Sequence, residues 1–413
     1  PGADPARTER LARLLQEQGI EVRRAEEPLK LGGQTLPAGT FVVPAAQPAG
    51  RLVRNLLDPA TPMDEAFVKE QDRRRKKRLP DQIYDLTAWN LPLLHDVELV
   101  LADKPAAGRQ SPFLPRDPVP AALPEAKVGY LIPWGLASAP AVAEALRAGL
   151  RVSTADEGLT LAGRRYHVGT ALLRTSDNSQ DLADRLGSIL ARHGASAVAA
   201  DSGFVDQGIS LGSSQMRPLK APRVVLAWDV PTASLSAGWA RYVLERRFGQ
   251  PVTAVRVSSL KRLDLRRYDV LVLPSGDYGD ALGEEAVRRL KDWIRGGGTL
   301  VTLAEASRWA ARDKVGLLEA RTELRGGKPE TEPSEKDKDK PAEPKAEEGK
   351  PFDLEKALQP EREPPETTPG AMLRVLLDKE HWLSAGSDGE IQALVESQRV
   401  FTPVKLDKGT NVG

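Results

Sequence analysis

The chain has 413 residues, no cysteine and nearly balanced charge, with 59 Lys and Arg against 58 Asp and Glu. This length suits two or three domains, the lack of cysteine excludes disulfides and thiolate chemistry, and the charge balance does not indicate nucleic-acid binding. No apolar run approaches the roughly 20 residues of a membrane span, so we predict no transmembrane segment.

The first predicted elements are a helix, a group of short strands and a second helix. Asp4 followed by Pro5 is typical of a helix start, and Leu11 and Leu15 lie on one apolar face. In IEVRRAEEPLKLGGQTLPAGTFVVP, short apolar segments alternate with Gly and Pro turns, which predicts short strands. The apolar spacing in LVRNLL, which starts at Leu52, predicts the second helix.

The same pattern returns further along the chain. GIEVRRAEEPLKLGGQTLPAGT begins at Gly19, and GLRVSTADEGLTLAGRRYHVGT begins at Gly149. We interpret this as an internal duplication. The identical positions are Gly19, Val22, Ala25, Glu27, Leu29, Leu31, Gly33, Gly39 and Thr40, with Leu52 and Leu56 of the next helix, and their partners Gly149, Val152, Ala155, Glu157, Leu159, Leu161, Gly163, Gly169 and Thr170, with Leu182 and Leu186.

The second copy starts with a strand that the first copy lacks. This strand runs from Val128 to Ile132, ahead of a helix predicted at 138–148. The offset that matches Gly19 with Gly149 places the equivalent strand of the first copy at or before Pro1. We therefore expect the first copy to lack the leading strand of its sheet, which we predict to be parallel.

The third part of the chain has the order strand, helix, strand, strand, helix, strand. RVVLAWDV, from Arg223 to Val230, predicts a buried strand, and residues 252–257 predict a second strand. Tyr268 to Ser307 has the pattern of a βαβ crossover, with Gly296 to Gly298 ending the helix. The predicted fold class is therefore α/β, with duplicated α/β units followed by a flavodoxin-like doubly wound domain.

These patterns give three predicted domains. The first α/β unit spans 1–125 with its connector, the second spans 126–220, and the last domain spans 221–413. Residues 326–370 are mostly Lys, Glu, Asp and Pro, and they predict a disordered insertion because they cannot bury enough apolar surface.

The candidate ligand loops lie at the carboxyl ends of strands in the last domain, where ligands of such folds gather. They are PSGDYG and AEAS, and the candidate ligand-facing residues are Ser275, Gly276, Asp277 and Glu305. A nucleophile would be expected at the strand-to-helix turn after TLVTL, but that turn carries Ala304. We therefore predict no catalytic residue in this chain.

Two charged motifs are candidate binding sites. His95 and Glu98 have the spacing of a zinc pair, but on the strand predicted for HDVELVL they would face opposite sides, and no third ligand follows. We reject this pair and predict no metal here. The basic run from Arg73 to Arg78 is a candidate phosphate site, although a solvated helix end is the favoured interpretation.

Several stretches together resemble the C-terminal half of large bacterial zinc carboxypeptidases of the carboxypeptidase A type. In that family a zinc peptidase domain comes first, and α/β modules follow, the last similar to class I glutamine amidotransferase domains. The stretches are LGGQTLPAGTFVVPAAQP (31–48), DQIYDLTAWNLPLL (81–94), GGGTLVTLAEASRWA (296–310) and GAMLRVLLDKEHWLSAG (370–386).

The resemblance implies a peptidase domain upstream of Pro1 that holds zinc, binds the peptide substrate and acts in the periplasm or outside the cell. The zinc ligands, general-base Glu and carboxylate-binding Arg of that family have no matching positions here. The chain would then be a non-catalytic accessory region of such an enzyme. The alternatives are a stand-alone ligand- or glycan-binding module with a degenerate amidotransferase-like domain, and a hydrolase in its own right.

Overall fold

The computed structural model describes residues 4–31, 33–60, 63–77, 79–80, 82, 90–115, 122–325, 327–330, 364–365 and 370–413. The chain divides into two compact units. Unit 1 comprises Pro1–Ala221, Pro369–Glu396 and Val412–Gly413, and unit 2 comprises Pro222–Thr368 and Ser397–Asn411. Most of the predicted disordered insertion lies outside the described residues, as do Arg78 of the basic run and part of the segment DQIYDLTAWNLPLL (81–94). Residues 327–330, at the start of that insertion, are described, and Glu330 accepts hydrogen bonds from Arg308, so the prediction of disorder is wrong for Glu330.

The first part of unit 1 contains a small antiparallel sheet with helices around it. The sheet order is β4-β1-β5, and β2 and β3 form a hairpin. Asp4 caps the first helix by accepting a hydrogen bond from the Ala6 N–H at 3.1 Å. The elements are α1 (Pro5–Glu17), β1 (Arg23–Ala25), β2 (Leu29–Leu31), β3 (Gln34–Leu36), β4 (Phe41–Val42), α2 (Gly50–Leu57), α3 (Glu65–Lys76), α4 (Leu91–Leu94) and β5 (Gln110–Pro112).

The second part of unit 1 contains a five-stranded sheet in the order β11-β6-β10-β7-β13. Its core includes Tyr130, Ile132, Leu173 and Leu186, all at most 2% exposed. The elements are β6 (Gly129–Ile132), α5 (Ser138–Arg147), β7 (Ser153–Ala155), β8 (Leu159–Leu161), β9 (Arg164–Tyr166), β10 (Ala171–Arg174), α6 (Leu182–His193), β11 (Val198–Ala200), β12 (Gln207–Gly208) and β13 (Met216–Pro218).

The prediction of a parallel sheet in these units is wrong. Every described pair in both sheets is antiparallel. Strands β6 and β7 run in the same direction, as expected of a strand–helix–strand crossover, but β10 lies between them and bonds to both. Strands β6 and β7 are therefore separated by one position in the sheet. After β7 the chain forms the β8–β9 hairpin, and β10 then occupies that position, antiparallel to both neighbours.

The two parts of unit 1 share their local geometry in the register that matches Gly19 with Gly149. Arg23, Leu29 and Gln34 start strands in the first part, and Ser153, Leu159 and Arg164 start strands in the second. Both parts contain a bulge in which two residues face one across the ladder. In the first, Gly39 N–H donates to Ala25 O at 2.8 Å and Ala25 N–H donates to Thr40 O at 2.9 Å; the second repeats this with Gly169, Ala155 and Thr170 at the same distances.

Unit 2 contains a parallel sheet in the order β15-β14-β16-β17, which confirms an α/β fold. Alternate residues of β14 face different apolar clusters, so both faces of the sheet are covered: α9 and α10 pack on one face and α7 on the other. The elements are β14 (Val224–Trp228), α7 (Ser234–Tyr242), β15 (Val252–Arg256), α8 (Val257–Leu260), β16 (Val270–Leu273), α9 (Gly279–Arg295), β17 (Thr299–Thr302) and α10 (Glu305–Ala310).

The crossover predicted at Tyr268 to Ser307 is present. Strand β16 coincides with the apolar run at 270–273. The buried residues of α9, among them Ala286 and Leu290, recur at helical spacing. Helix α9 ends at Arg295, and Gly297, at φ 100°, turns the chain toward β17. Across the described ranges, no helix combines the length and the apolar character needed to cross a membrane.

The last two strands belong to unit 1, although the sequence placed them in a third domain at 221–413. Strands β18 (Ala371–Leu376) and β19 (Glu390–Val395) form an antiparallel hairpin. The carbonyl oxygen of Gly386, between them, accepts a hydrogen bond from the Arg7 guanidinium at 2.8 Å. The sequence does not show this return because the partners lie 379 residues apart.

The core of unit 2 depends on Trp309, whose side chain is 1% exposed and lies 5.5 Å from the Tyr278 ring. We expect Trp309→Ala to lower the free energy of unfolding by about 3–5 kcal/mol, because the indole leaves a cavity. Trp239→Ala is the matched control, since Trp239 is 64% exposed and its loss should change that free energy by about 0.5 kcal/mol or less. Denaturant unfolding followed by circular dichroism measures both, and equal losses would contradict this account of the core.

Candidate functional site

The candidate site lies in unit 2, at the edge of the parallel sheet where β14, β16 and β17 end. Parallel strands present their carboxyl ends at one edge, so the loops that leave them are neighbours. Ala233 N–H, in the loop after β14, donates to the carbonyl oxygen of Ser275, after β16, at 2.7 Å. Ser275 N–H donates to Ser236 Oγ at 3.0 Å. The structure thus brings the PSGDYG loop against the loop after β14.

Close packing of two loops explains why residue 276 is a glycine. A Cβ atom at this position would lie 2.7 Å from the carbonyl oxygen of Pro231, closer than a side chain tolerates. Only glycine lets the loops after β14 and β16 approach this closely. The half-buried Ser275 is held by the two backbone hydrogen bonds described above.

Asp277 is ion-paired and does not present a free carboxylate to a ligand. Its two carboxylate oxygens face the guanidinium of Arg312 at 3.0 and 2.5 Å, and Oδ1 also accepts the Gly279 N–H at 3.1 Å. The hydrogen bonds from Arg312 hold the pKa of Asp277 below its ordinary value. Arg312 follows α10 in the chain, so this pair ties the loop after β16 to the segment beyond α10.

Tyr278 lies beneath this loop and was not singled out from the sequence. Its side chain is fully buried, and its hydroxyl donates to the carbonyl oxygen of Pro274 at 2.8 Å and lies 3.2 Å from Thr232 Oγ1. Burial raises the pKa of Tyr278, so the phenol is neutral at physiological pH. The tyrosine in PSGDYG could have been identified from the sequence as a candidate loop anchor. A tyrosine that is buried at the end of a strand usually forms a hydrogen bond through its hydroxyl group.

Ala304 occupies a sharp turn between β17 and α10. Its backbone has φ 51° and ψ −118°, a conformation that few residues other than glycine adopt, and its side chain is exposed. A strained strand-to-helix turn of this kind is where hydrolases of the α/β type present a nucleophilic side chain. Here the turn presents a methyl group.

Glu305, the next residue, is also ion-paired. Its Oε1 accepts a hydrogen bond from Arg399 Nε at 2.9 Å, and its Oε2 lies 3.7 Å from Arg308 Nη1. The carboxylate also sits in the first turn of α10, where negative charge is favourable. The sequence identified Glu305 as ligand-facing but gave no indication of Arg399, which lies 94 residues further on.

A second network lies behind α10. Arg308 forms two hydrogen bonds to the Glu330 carboxylate, at 3.2 and 2.5 Å, and Thr322 Oγ1 donates to the same carboxylate. The Arg308 guanidinium lowers the pKa of Glu330, and Glu330 in turn raises the pKa of Arg308. Both side chains are about three-quarters buried, so this pair is more strongly coupled than the surface pairs.

His95 and Glu98, which lie in unit 1, do not form the predicted strand. His95 follows α4 in a turn with Asp96, whose φ is 53°, and residues 97–100 belong to no strand. Burial, followed by the charges of Arg10 and Arg7, lowers the pKa of His95. In the part of the chain that the structure describes, no group of three or more His, Asp or Glu is placed to hold a metal ion.

The strain at Ala304 can be tested directly. We expect Ala304→Gly to raise the free energy of unfolding by about 1 kcal/mol, because glycine adopts this backbone conformation without a steric penalty. Ala306→Gly, in the first turns of α10, is the matched control and should lower that free energy by about 1 kcal/mol or more. Denaturant unfolding measures both changes. If Ala304→Gly proved as destabilising as the control, the turn would not be strained.

The Arg308–Glu330 pair gives a pH-dependent prediction. The folded pKa of Glu330 lies below the ordinary value of 4.5, so its stabilisation is complete above pH 4.5 and is lost as pH falls through the folded pKa. We expect Glu330→Gln to lower the free energy of unfolding by about 1–3 kcal/mol at pH 7 and by less at pH 3. Urea titrations at both pH values measure this difference. Glu319→Gln is the control, since that carboxylate is mostly exposed and only 3.9 Å from Lys408 Nζ.

No protein-family model, curated protein or solved structure matches this chain. The function of this chain is therefore inferred from the chemistry of the residues described above and from the sequence resemblance. At the carboxyl edge of the unit 2 sheet, that chemistry consists of a strained alanine, two arginine-bound carboxylates and a buried neutral tyrosine.

Proposed function

We propose that this chain is a non-catalytic accessory region of a zinc carboxypeptidase, whose upstream domain releases C-terminal residues from peptides. One observation carries the proposal. The strand-to-helix turn of unit 2 has the strained backbone of a nucleophile position, but Ala304 places a methyl group there. A methyl group has no lone pair and cannot attack a carbonyl. The turn therefore has the backbone of a nucleophile position but carries no nucleophilic oxygen or sulfur atom.

The surroundings of Ala304 support the same conclusion. A serine or cysteine nucleophile needs a base within hydrogen-bond reach. No histidine occurs in residues 222–368 or 397–411, which make up unit 2. The carboxylates of Asp277 and Glu305 are hydrogen-bonded to Arg312 and Arg399. The hydrogen bonds from Arg312 lower the pKa of Asp277, which opposes its taking up a proton.

The proposal also includes the origin of the two parts of unit 1 and the fold type of unit 2. The two parts of unit 1 are proposed to be copies of one ancestral unit. The constant offset between matching positions and the shared bulge support this. Unit 2 is proposed to be flavodoxin-like and amidotransferase-like. Its strands, numbered within the unit, lie in the order 2-1-3-4, which agrees with the first four strands of the flavodoxin order 2-1-3-4-5.

Zinc is assigned to the proposed upstream domain and not to this chain. A zinc ion in such an enzyme polarises the scissile carbonyl and lowers the pKa of bound water. The residues here do not fit it: His95 lies in the field of Arg7 and Arg10, and the exposed Glu98 lies in a segment that forms no strand or helix. No step of the reaction is therefore assigned to this chain, and its proposed location is the periplasm or the outside of the cell.

The proposal is tested by activity and by the neighbouring coding sequence. We expect the 413-residue chain, with equimolar zinc, to release no C-terminal amino acid from peptides, and Ala304→Ser to be equally inactive, because a hydroxyl without a base is a poor nucleophile. A zinc carboxypeptidase is the positive control. The reading frame before the Pro1 codon should encode His-x-x-Glu and a later His.

Two results would contradict the proposal. Zinc-dependent release of amino acids by the chain itself would make it an enzyme, and an upstream frame without the zinc motif would remove the proposed partner domain. A thermal-shift screen adds a further outcome. Stabilisation by a sugar or nucleotide, but not by a peptide, would favour the stand-alone binding module, because a ligand that binds only the folded state raises stability.

A further inference from the structure

Helix α7 of unit 2 carries apolar residues on both of its sides. On the inner side, Ala240 and Leu244 pack against the buried residues of β14 and β16. The opposite side is exposed to solvent: Leu235 by 78%, Trp239 by 64%, Tyr242 by 41% and Val243 by 39%. A helix that is apolar all round is normally covered on both sides, so the exposed side is a candidate contact surface.

The exposed residues form one continuous stripe, the outer face of α7, which consists of Leu235, Trp239, Tyr242 and Val243. The first three follow one another at intervals of four and three residues, so they lie on one side of the helix. The rings of Trp239 and Tyr242 meet edge to face, with their centroids 5.6 Å apart. A π turn at Val243–Arg247 continues the helix, and such turns are frequent at functional sites.

Positive charge lies at the C-terminal end of the outer face. Arg246 and Arg247 are both exposed, and the Arg247 guanidinium lies 5.5 Å from the centroid of the Tyr242 ring. Among the described residues, neither arginine has a carboxylate partner. Glu245, the one acidic residue of the sequence 234–247, accepts a hydrogen bond from Arg241 Nε at 2.9 Å. The stripe therefore combines exposed aromatic rings with uncompensated positive charge.

We propose that the outer face of α7 lies on an anionic lipid surface. Trp239 and Tyr242 would sit at the level of the headgroups, where these two residue types are enriched. Arg246 and Arg247 would contact lipid phosphates, each contributing about 1 kcal/mol near an anionic surface. A helix with a Leu and Trp face beside arginines lies in the plane of the interface and does not cross the membrane.

Other occupants fit this face less well. Residues 234–247 span about 21 Å, and a strip about 10 Å wide along them covers roughly 200 Å². A stable protein interface buries about 800 Å² on each partner, so a second copy of the chain would gain too little here. A bound peptide usually lies in a groove or along the edge of a sheet, whereas the outer side of a helix is convex. Lipid contact of this kind is independent of the proposed accessory role and does not require a zinc peptidase.

The test uses the full 413-residue chain and sedimented vesicles of phosphatidylcholine with about 30 mol% phosphatidylglycerol. We expect saturable binding that weakens with added salt and is weaker on vesicles of phosphatidylcholine alone. Trp239→Ala should weaken binding at least about tenfold, because the indole no longer enters the interface. Trp382→Ala, at a tryptophan of unit 1 that is also 64% exposed, is the matched control and should leave the affinity unchanged.

A pair of double variants tests the contribution of charge. Arg246→Gln combined with Arg247→Gln should weaken binding to the anionic vesicles about tenfold or more and leave binding to phosphatidylcholine unchanged. Arg262→Gln combined with Arg288→Gln is the control, since it removes the same charge from exposed positions after α8 and on α9. The apolar residues of α8 and α9 belong to the cluster on the other face of the sheet.

Four results would overturn the proposal. The first is no binding to the anionic vesicles at up to about 1 mM lipid. The second and third are equal losses for the two tryptophan variants, or for the two double arginine variants. The fourth is self-association in sedimentation that Trp239→Ala abolishes, because a second copy would then cover the face. The denaturant measurement on Trp239→Ala described above shows whether that variant is folded.

Discussion

One hydrogen bond sets the geometry of the candidate site. Leu303 N–H donates to the carbonyl oxygen of Leu273 at 3.0 Å, which extends the β16–β17 ladder one residue past the end of β17. Because of this bond, Pro274 and Ala304 leave the sheet side by side, and the two loops cannot separate without breaking the ladder. The strained backbone at Ala304 is therefore imposed by the sheet on one side and by α10 on the other.

The carboxylates around this edge are held in ion pairs with arginine. Asp277, Glu305 and Glu330 each contact an arginine, and each of those arginines lies C-terminal to β17. The guanidinium hydrogen bonds lower the pKa of Asp277 and of Glu330, so these two carboxylates stay charged near neutral pH and are weak bases. An enzyme site usually does the opposite and shifts pKa values toward the working pH. The lowered pKa values of Asp277 and Glu330 are among the observations on which the proposed accessory role is based.

The sequence predicted the elements of this chain better than their arrangement. The apolar run at 270–273, the helical spacing of α9 and the glycine turn before β17 were sufficient to locate the crossover, because these signals are local. The repeat of the Gly19 pattern at Gly149 also located matching strands. The position of β10 between β6 and β7 was missed, since a strand–helix–strand pattern is compatible with adjacent strands and with strands one position apart.

The candidate site shows the same limit. Ser275, Gly276, Asp277 and Glu305 do lie at the carboxyl edge of the sheet, as the strand pattern predicted. Their partners were missed because they are remote in the chain: Arg312 is 35 residues from Asp277, and Arg399 is 94 from Glu305. The strand predicted for HDVELVL failed for a related reason, since an apolar segment forms a strand only where a neighbour offers its backbone groups.

The return of the β18–β19 hairpin to unit 1 has a consequence for synthesis on the ribosome. Unit 1 is interrupted after Ala221 and resumes at Pro369, so its final strands are made only after most of unit 2. At about 5–20 residues per second, synthesis of this gap takes roughly 7–30 s, which is long compared with the folding time of a small domain. Unit 2 can thus complete its parallel sheet while unit 1 still awaits its last hairpin. The order of folding would then differ from the order of the chain.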